Sequence, residues 1–365
     1  VLEYTLFRSL PRFTQSDRAE SVRLGARTYA SLGTTAAFEG HGLTPALVRA
    51  YREVRERGDL ALRMHAPLSV PSGVFDDRRV IDLFYHYAAV AGGRGSGDDV
   101  FRVEGINLGG SADATVERIL AAEYPYEQWA GHFYQAMPWE RFVRLGTEAA
   151  RLGLRISCLV SRDLEYALSG YEAIDREVSI RERRWVLVHV NQATDDQLRR
   201  MKALGVVATA TPGFLSLASD RYGLDRLGAD GVPLRRLLDA GVPVALGTDG
   251  VPPSMLWTAW QALARWDEES HAPVGASGLT REEALRMAVQ TGHLLTWSED
   301  RAGSLEPGRA ADLVVLEDNP LTCSQERLRD LSVVMTMVGG SIVHVDDRHY
   351  TGSGFSAGCA GASSS

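Results

Sequence analysis

From residue 16 onward the chain alternates amphipathic stretches with short, nearly continuous apolar runs. "SDRAESVRLGARTYASLG" spaces its apolar residues helically, opens on Ser16 or Asp17 as a cap and closes on Gly33, which predicts a helix. The run "TTAAFE" at 34–39 follows as a strand. The same alternation predicts helices over 44–57, 77–91, 138–152, 163–180, 194–204 and 233–240. Strands at 60–70, 101–108, 154–160, 185–190, 206–212 and 242–249 are interleaved with them.

Strands with few polar interruptions, each separated by a helix, imply a parallel sheet covered on both faces. Seven such units in series favour an α/β fold of the TIM type, a (β/α)8 barrel, over an open sheet. Seven is one short of eight, and the chain begins on Val1 rather than Met. The expectation is therefore a barrel whose first strand is missing. Two further helices follow: "SMLWTAWQALARWDEES", capped by Ser254, and "TREEALRMAVQTGHLL", where Thr280 and Glu283 form a capping box. The pattern then changes to turn-rich "GSLEPGRAADLVVLEDNP" and a hairpin, "SVVMTMVGGSIVHV", around Gly339-Gly340. These read as strands of a small β-sandwich whose other half is absent. The expected organisation is an N-terminally incomplete (β/α) barrel over 1–300, a sandwich remnant over 301–350 and, from the low-complexity "TGSGFSAGCAGASSS", a disordered tail over 351–365.

Composition narrows the partners. A hydrophobic content of 45% with 24% charged residues is that of an ordinary globular core. The net charge of −8, with Lys and Arg dispersed, argues against nucleic acid or an anionic membrane as partner. Cys158, Cys323 and Cys359 are widely spaced and form neither a CxxC site nor a disulfide framework, so a reducing cytoplasm is the expected location. No apolar stretch reaches the roughly 18 residues that span a bilayer. The opening "VLEYTLFRSLPRF" lacks the order of a signal peptide.

In a barrel of this kind the chemistry lies at the C-terminal ends of the strands. Those positions offer Glu39, His41, His65, Glu104, Asn107, Cys158, Ser161, Asp163, His189, Asn191, Thr211 and Asp249. His189, bracketed by valines, reads either as a core histidine bonded to a backbone carbonyl or as a metal ligand. Asp249 ends "PVALGTD", and a carboxylate at the edge of a core needs a compensating helix N-terminus, basic group or cation. Ser254 is better placed than Asp249 to cap the next helix. A His and an Asp at the mouths of strands two apart strengthen the metal reading beyond either residue alone. His41, flanked by Gly40 and Gly42, and Glu39 are candidates to bind substrate or to complete a metal shell, and Asn191 is a candidate substrate contact. Trp257, Trp260 and Trp266 fit core packing as well as a substrate wall.

"GTDG" after an apolar strand, "HV" ending a strand two units earlier and "AGSLEPGRAADLVVLEDNP" near the C-terminus together resemble the amidohydrolase superfamily. The similarity is to its amidohydrolase family 3 branch of amide, N-acyl and N-formyl hydrolases, and covers about Thr28 to His344. The resemblance implies one or two divalent metals, usually zinc, at the barrel mouth. It maps His189 onto the sixth-strand histidine ligand, Asp249 onto the eighth-strand aspartate and Glu104 onto the bridging position of the fourth strand. Pairing with Arg102 or a neighbouring helix is the other reading of Glu104. The family's His-x-His pair occurs nowhere in the chain, and its fifth-strand histidine is replaced by "RISCLVSRD". With at most three family ligands left, weak retention of metal is the expectation.

The implied activity is hydrolysis of a non-peptide, amide-type C–N bond in a small molecule by a metal-activated water. Asp249 would handle the water's proton, and His189 would hold metal or polarise the carbonyl. The competing reading is a non-catalytic or truncated barrel without a competent metal site. A phosphate-binding mouth is a weaker reading, because the prolines of "TDGVPP" lack N–H donors. Substrate identity and assembly as a monomer or homo-oligomer are left open by the sequence.

Overall fold

The apolar runs assemble into a curled parallel sheet in the computed structural model, which describes residues 11–72, 75–109, 131–133, 135–160, 163–216, 227–249 and 252–348. The opening residues 1–10, Ser161 and the tail 351–365 lie outside the described residues. Seven strands run β1 (Ala36–Phe38), β2 (Arg63–Ser69), β3 (Phe101–Asn107), β4 (Ile156–Leu159), β5 (Val186–Val188), β6 (Val207–Ala210) and β7 (Val244–Leu246). Each pairs in parallel with its neighbours, in sequence order. The helices between them are α1 (Gln15–Ser31, before β1), α2 (Pro45–Glu56), α3 (Asp77–Ala91), α4 (Trp139–Arg151), α5 (Leu164–Glu177), α6 (Asp195–Leu204) and α7 (Leu234–Asp239). This is the TIM-type barrel arrangement, with seven parallel strands among the described residues.

The barrel interior is filled by Val186, Val188, Val207 and Ala245, with Phe38 and Leu159 packed against them. The branched valines suit strands closed on themselves, and each contributes roughly 1.5–3 kcal/mol on full burial. Leu295 joins the same cluster from outside the sheet. It belongs to α10 (Gly292–Leu295), a short helix that packs against both β1 and β7. The outer layer is a larger core in which Phe142, Tyr171 and Trp185 are fully buried between α4, α5 and the strands.

Local signals set most helix ends. Helix α8 (Met255–Ala264) starts on Ser254, whose side chain accepts from Trp257 N–H. Helix α9 (Arg281–Arg286) starts on the Thr280–Glu283 capping box. Two boundaries differ from the sequence pattern. Helix α1 is capped by Thr14 rather than Ser16 or Asp17, because Thr14 and Asp17 bond reciprocally as a capping box. The long helix expected after Thr280 is three pieces: α9, a π-helical turn at Met287–Thr291, and α10. The extra residue in that turn shifts α10 against the sheet, the usual effect of a π-bulge.

After α10, β8 (Leu313–Leu316), β9 (Val333–Val338) and β10 (Ser341–Val345) form a three-stranded antiparallel sheet, with the expected hairpin between β9 and β10. Helix α11 (Gln325–Arg329) lies between β8 and β9. The sheet is anchored to the barrel unit by Arg63 of β2, which binds Asp312 in a two-pronged pair at 2.7 and 3.0 Å. Thr336 of β9 donates to Ala30 O of α1 at 2.7 Å. No helix among the described residues is long and apolar enough to cross a membrane.

Candidate metal centre

Three of the strand-end residues converge. One donor atom each from His41, His189 and Asp249 lies within 4.8 Å of the others. They follow β1, β5 and β7 at the C-terminal ends of those strands. His189 and Asp249 both leave their strands in the left-handed backbone region, at φ +63° and +50°, which is uncommon for residues with a Cβ. The turn aims each side chain across the barrel mouth. His189 Nε2 is 3.8 Å from Asp249 Oδ1.

The loop carrying His41 is set by its two glycines. A Cβ on Gly40 would come within 2.9 Å of the Val188 side chain, and Gly42 sits at φ +81° against Pro67 O and Ser69 N. Only glycine at both positions lets the loop lie down on β2 and β5. Glu39 then folds back: its Oε1 accepts from the His41 backbone N–H and meets His41 Nδ1, both at 2.9 Å. The His41 ring lies 5.4 Å from the His189 ring and 4.8 Å from that of His132.

The charges follow from burial and these contacts. Burial opposes ionisation of Glu39, but the hydrogen bond and charge of His41 prevail and hold its carboxyl down at about 2. Burial likewise opposes a charge on His41, and its contacts with Glu39 and Asp249 overcome this and raise its pKa. Burial, reinforced by the His41 charge, pushes His189 down to about 3, so its ring is neutral at pH 7. Burial raises the Asp249 carboxyl against the pull of His41. His189 Nδ1 is 2.9 Å from Thr211 Oγ1, and its backbone N–H donates to Thr209 Oγ1 at 3.1 Å. That leaves Nε2 as the nitrogen turned toward Asp249.

Two imidazoles and a carboxylate, with Thr211 and Glu39 orienting the two rings from behind, form the donor set of a divalent transition-metal site. In tetrahedral geometry with bonds of about 2.1 Å, adjacent ligand atoms lie about 3.4 Å apart. The 3.8 Å between His189 and Asp249 needs only a small closure to match. The residues therefore fit a bound ion.

Not every expected residue joins this group. Glu104 is buried, 4% exposed, and pairs with Arg155 at 3.0 Å. It is the middle residue of β3, and Arg155 immediately precedes β4, so the pair sits below the mouth, toward the other end of the barrel. The structure thus gives Glu104 an ion-pair role and does not bring it to the three donors. Asn191 is 2% exposed, and neither atom of its carboxamide has a protein hydrogen-bond partner. Cys158 is buried among core residues, and burial drives its thiol pKa up, as suits a packing residue. Asp163 caps α5, accepting from Tyr166 N–H. His132 was not marked by its sequence. It follows a turn at Gly131, whose carbonyl accepts from Thr44 N–H and so ties that segment to the His41 loop.

Comparison with known proteins bears on the family and the fold. The model of the family described as "Amidohydrolase family" matches residues 2–344. An N-substituted formamide deformylase of Arthrobacter pascens is 31% identical over 209 residues, covering 54% of this chain and 38% of the deformylase. An imidazolonepropionase of Geobacillus kaustophilus is 35% identical over 130 residues, covering 35% of this chain and 26% of its own. The chain thus spans well under two thirds of the length of these relatives. Among solved structures, an uncharacterized metal-dependent hydrolase from Pyrococcus horikoshii superposes with a TM-score of 0.64 at 19% identity, over 86% of this chain and 62% of its own. Atrazine chlorohydrolase from Arthrobacter aurescens, complexed with zinc, gives 0.57 at 18% identity, over 93% and 76%. At these identities the likeness is one of fold.

Proposed function

The chain belongs to the amidohydrolase family, and on that premise we propose that it hydrolyses a non-peptide C–N bond of the amide type in a small molecule, using a divalent metal. The observation that carries the proposal is the convergence of His41, His189 and Asp249 within 4.8 Å at the barrel mouth. Zinc is the ion this reading favours, since two imidazoles and one carboxylate hold it at catalytic sites that keep an open position for water. When bound it would supply an acidified water and polarise the scissile carbonyl.

The chain's own residues account for the remaining steps. Asp249 carries a raised pKa and is the group to take the proton of the attacking water and return it to the leaving nitrogen. His189, neutral and oriented by Thr211, presents Nε2 as a donor. Glu39 fixes the His41 ring through Nδ1, leaving the other nitrogen for the site. The unpartnered carboxamide of Asn191 is suited to bind substrate, because it can both donate to a carbonyl and accept from an N–H. An N-substituted formamide is the substrate class that the deformylase's name suggests. The free thiols Cys158 and Cys323 support a reducing, cytoplasmic location.

The test is zinc content and turnover on a panel of N-formyl and N-acyl amines. Asp249→Asn is expected to lower kcat/KM by roughly 10²–10⁴-fold. Undiminished turnover after chelation, or in Asp249→Asn, would overturn the proposal.

A further inference from the structure

The end of the barrel away from the mouth holds a second polar cavity. It measures about 220 Å³ and is lined by Arg94, Arg102, Glu104, Thr296, Trp297 and Arg301. Chain direction fixes its position: Arg102 is the second residue of β3 and Arg155 directly precedes β4, whereas the metal donors follow their strands. Five residues of extended chain, about 16 Å, separate Arg102 from Asn107 at the far end of the same strand.

Guanidinium groups outnumber carboxylates here. Arg155 pairs with Glu104 at 3.0 Å, Arg184 with Glu299 at 2.5 Å and Arg301 with Asp99 at 2.6 Å. Arg94 and Arg102 form no ion pair among the described residues. Arg102 instead donates to Arg94 O at 3.0 Å, and Arg94 stacks on the Trp297 ring at 4.4 Å. Arg184 lies over the same ring at 4.0 Å. Arg155, only 6% exposed, reaches both Glu104 and the Trp297 ring from beneath, and its Nη2 is buried without a partner. The Nδ1 of buried His65, which pairs in register with Arg102, also lacks one.

Two guanidiniums that line the cavity without a direct ion-pair partner, and a third in the same cluster, Arg155, that keeps an unsatisfied buried N–H, make an arrangement that gains from a compact oxyanion. Planar forks favour a group that several of them can share, and a tetrahedral phosphate presents enough acceptor oxygens to do so. We propose that this cavity is an anion site for a phosphate group, either inorganic phosphate or the phosphoryl group of a small molecule, separate from the metal centre. The occupant would bridge Arg94 and Arg102 and tie the turn holding Trp297 to the base of β3.

Thermal unfolding of the full chain decides the matter, with inorganic phosphate and ribose 5-phosphate as probes against potassium chloride of equal ionic strength. Phosphate at about 100 times its Kd is expected to raise the midpoint by about 3–4 °C. The shift is expected to persist in Asp249→Asn, which separates it from anion binding at the mouth. It is expected to vanish in Arg102→Gln and in Arg94→Ala. Arg94→Ala, at a turn outside the strands, decides the outcome if Arg102→Gln does not fold. A larger response to the sugar phosphate identifies a phosphorylated metabolite as occupant, and an equal one identifies phosphate itself. No shift beyond that of chloride with either probe, or a shift unchanged in Arg94→Ala, would overturn the proposal.

Discussion

At the scale of single residues, what separates the site from the rest of the interior is how each buried polar group is compensated. Glu104 and Arg155 compensate one another at 3.0 Å. Replacing Arg155 by Met is expected to strand Glu104 and cost about 3–5 kcal/mol, measured by urea denaturation, whereas the double replacement Glu104→Leu/Arg155→Met should recover most of that loss. Asp249 has no such partner among the described residues, where it meets only the His189 ring, at 3.8 Å. That difference was half legible in the sequence. An acid closing the apolar run 244–246 declared itself, because nothing next to it in sequence could compensate its charge. Glu104 looked equivalent, since period-2 alternation says which face a strand residue takes but not which end of the barrel it occupies. The register of Phe101 with Met64 and of Ile106 with Ile156 sets the end, and no local pattern encodes it. His132 was hidden for a related reason: its place depends on where a loop returns, through Thr44 N–H to Gly131 O.

At the scale of elements, the strand-and-helix alternation was readable because most of the parallel strands are buried on both faces and most of the helices carry a side-chain cap. Ser254 and Thr280 act as caps where the pattern placed them. The division of the segment after Thr280 was not readable, because the pieces on either side of the π-turn are too short for a one-residue shift of apolar period to show. The His41 loop is the element on which the site depends most. Gly42→Ala would force a Cβ against Pro67 O at 2.8 Å in a left-handed conformation. The expected cost is about 1–3 kcal/mol, and zinc affinity should fall with it as His41 moves away from His189. Isothermal titration with zinc, beside a denaturation curve, checks both; unchanged affinity would remove the loop from the account of the site.

At the scale of the whole molecule, acid should act through buried histidines. Burial, aided by the Arg102 charge, lowers His65 from 6.5 to about 4. Its folded pKa is below its unfolded one, so the unfolded chain binds more protons between these values. The stability from keeping it neutral is complete above about pH 6.5 and drains away as the pH falls toward 4, by about 3 kcal/mol. Urea midpoints at pH 7 and pH 5 should differ accordingly, and the difference should shrink in His65→Gln.

The two left-handed residues at the mouth bear on how such a protein can change. His189 and Asp249 hold conformations that glycine would adopt freely, each at a cost of order 1–2 kcal/mol. Folding and chemistry thus make opposite demands at two fixed positions. A library randomised at 189 and 249 and screened only for thermal resistance should enrich Gly and Asn there while turnover disappears. Screening the same library for turnover should restore His and Asp together with the lower melting temperature.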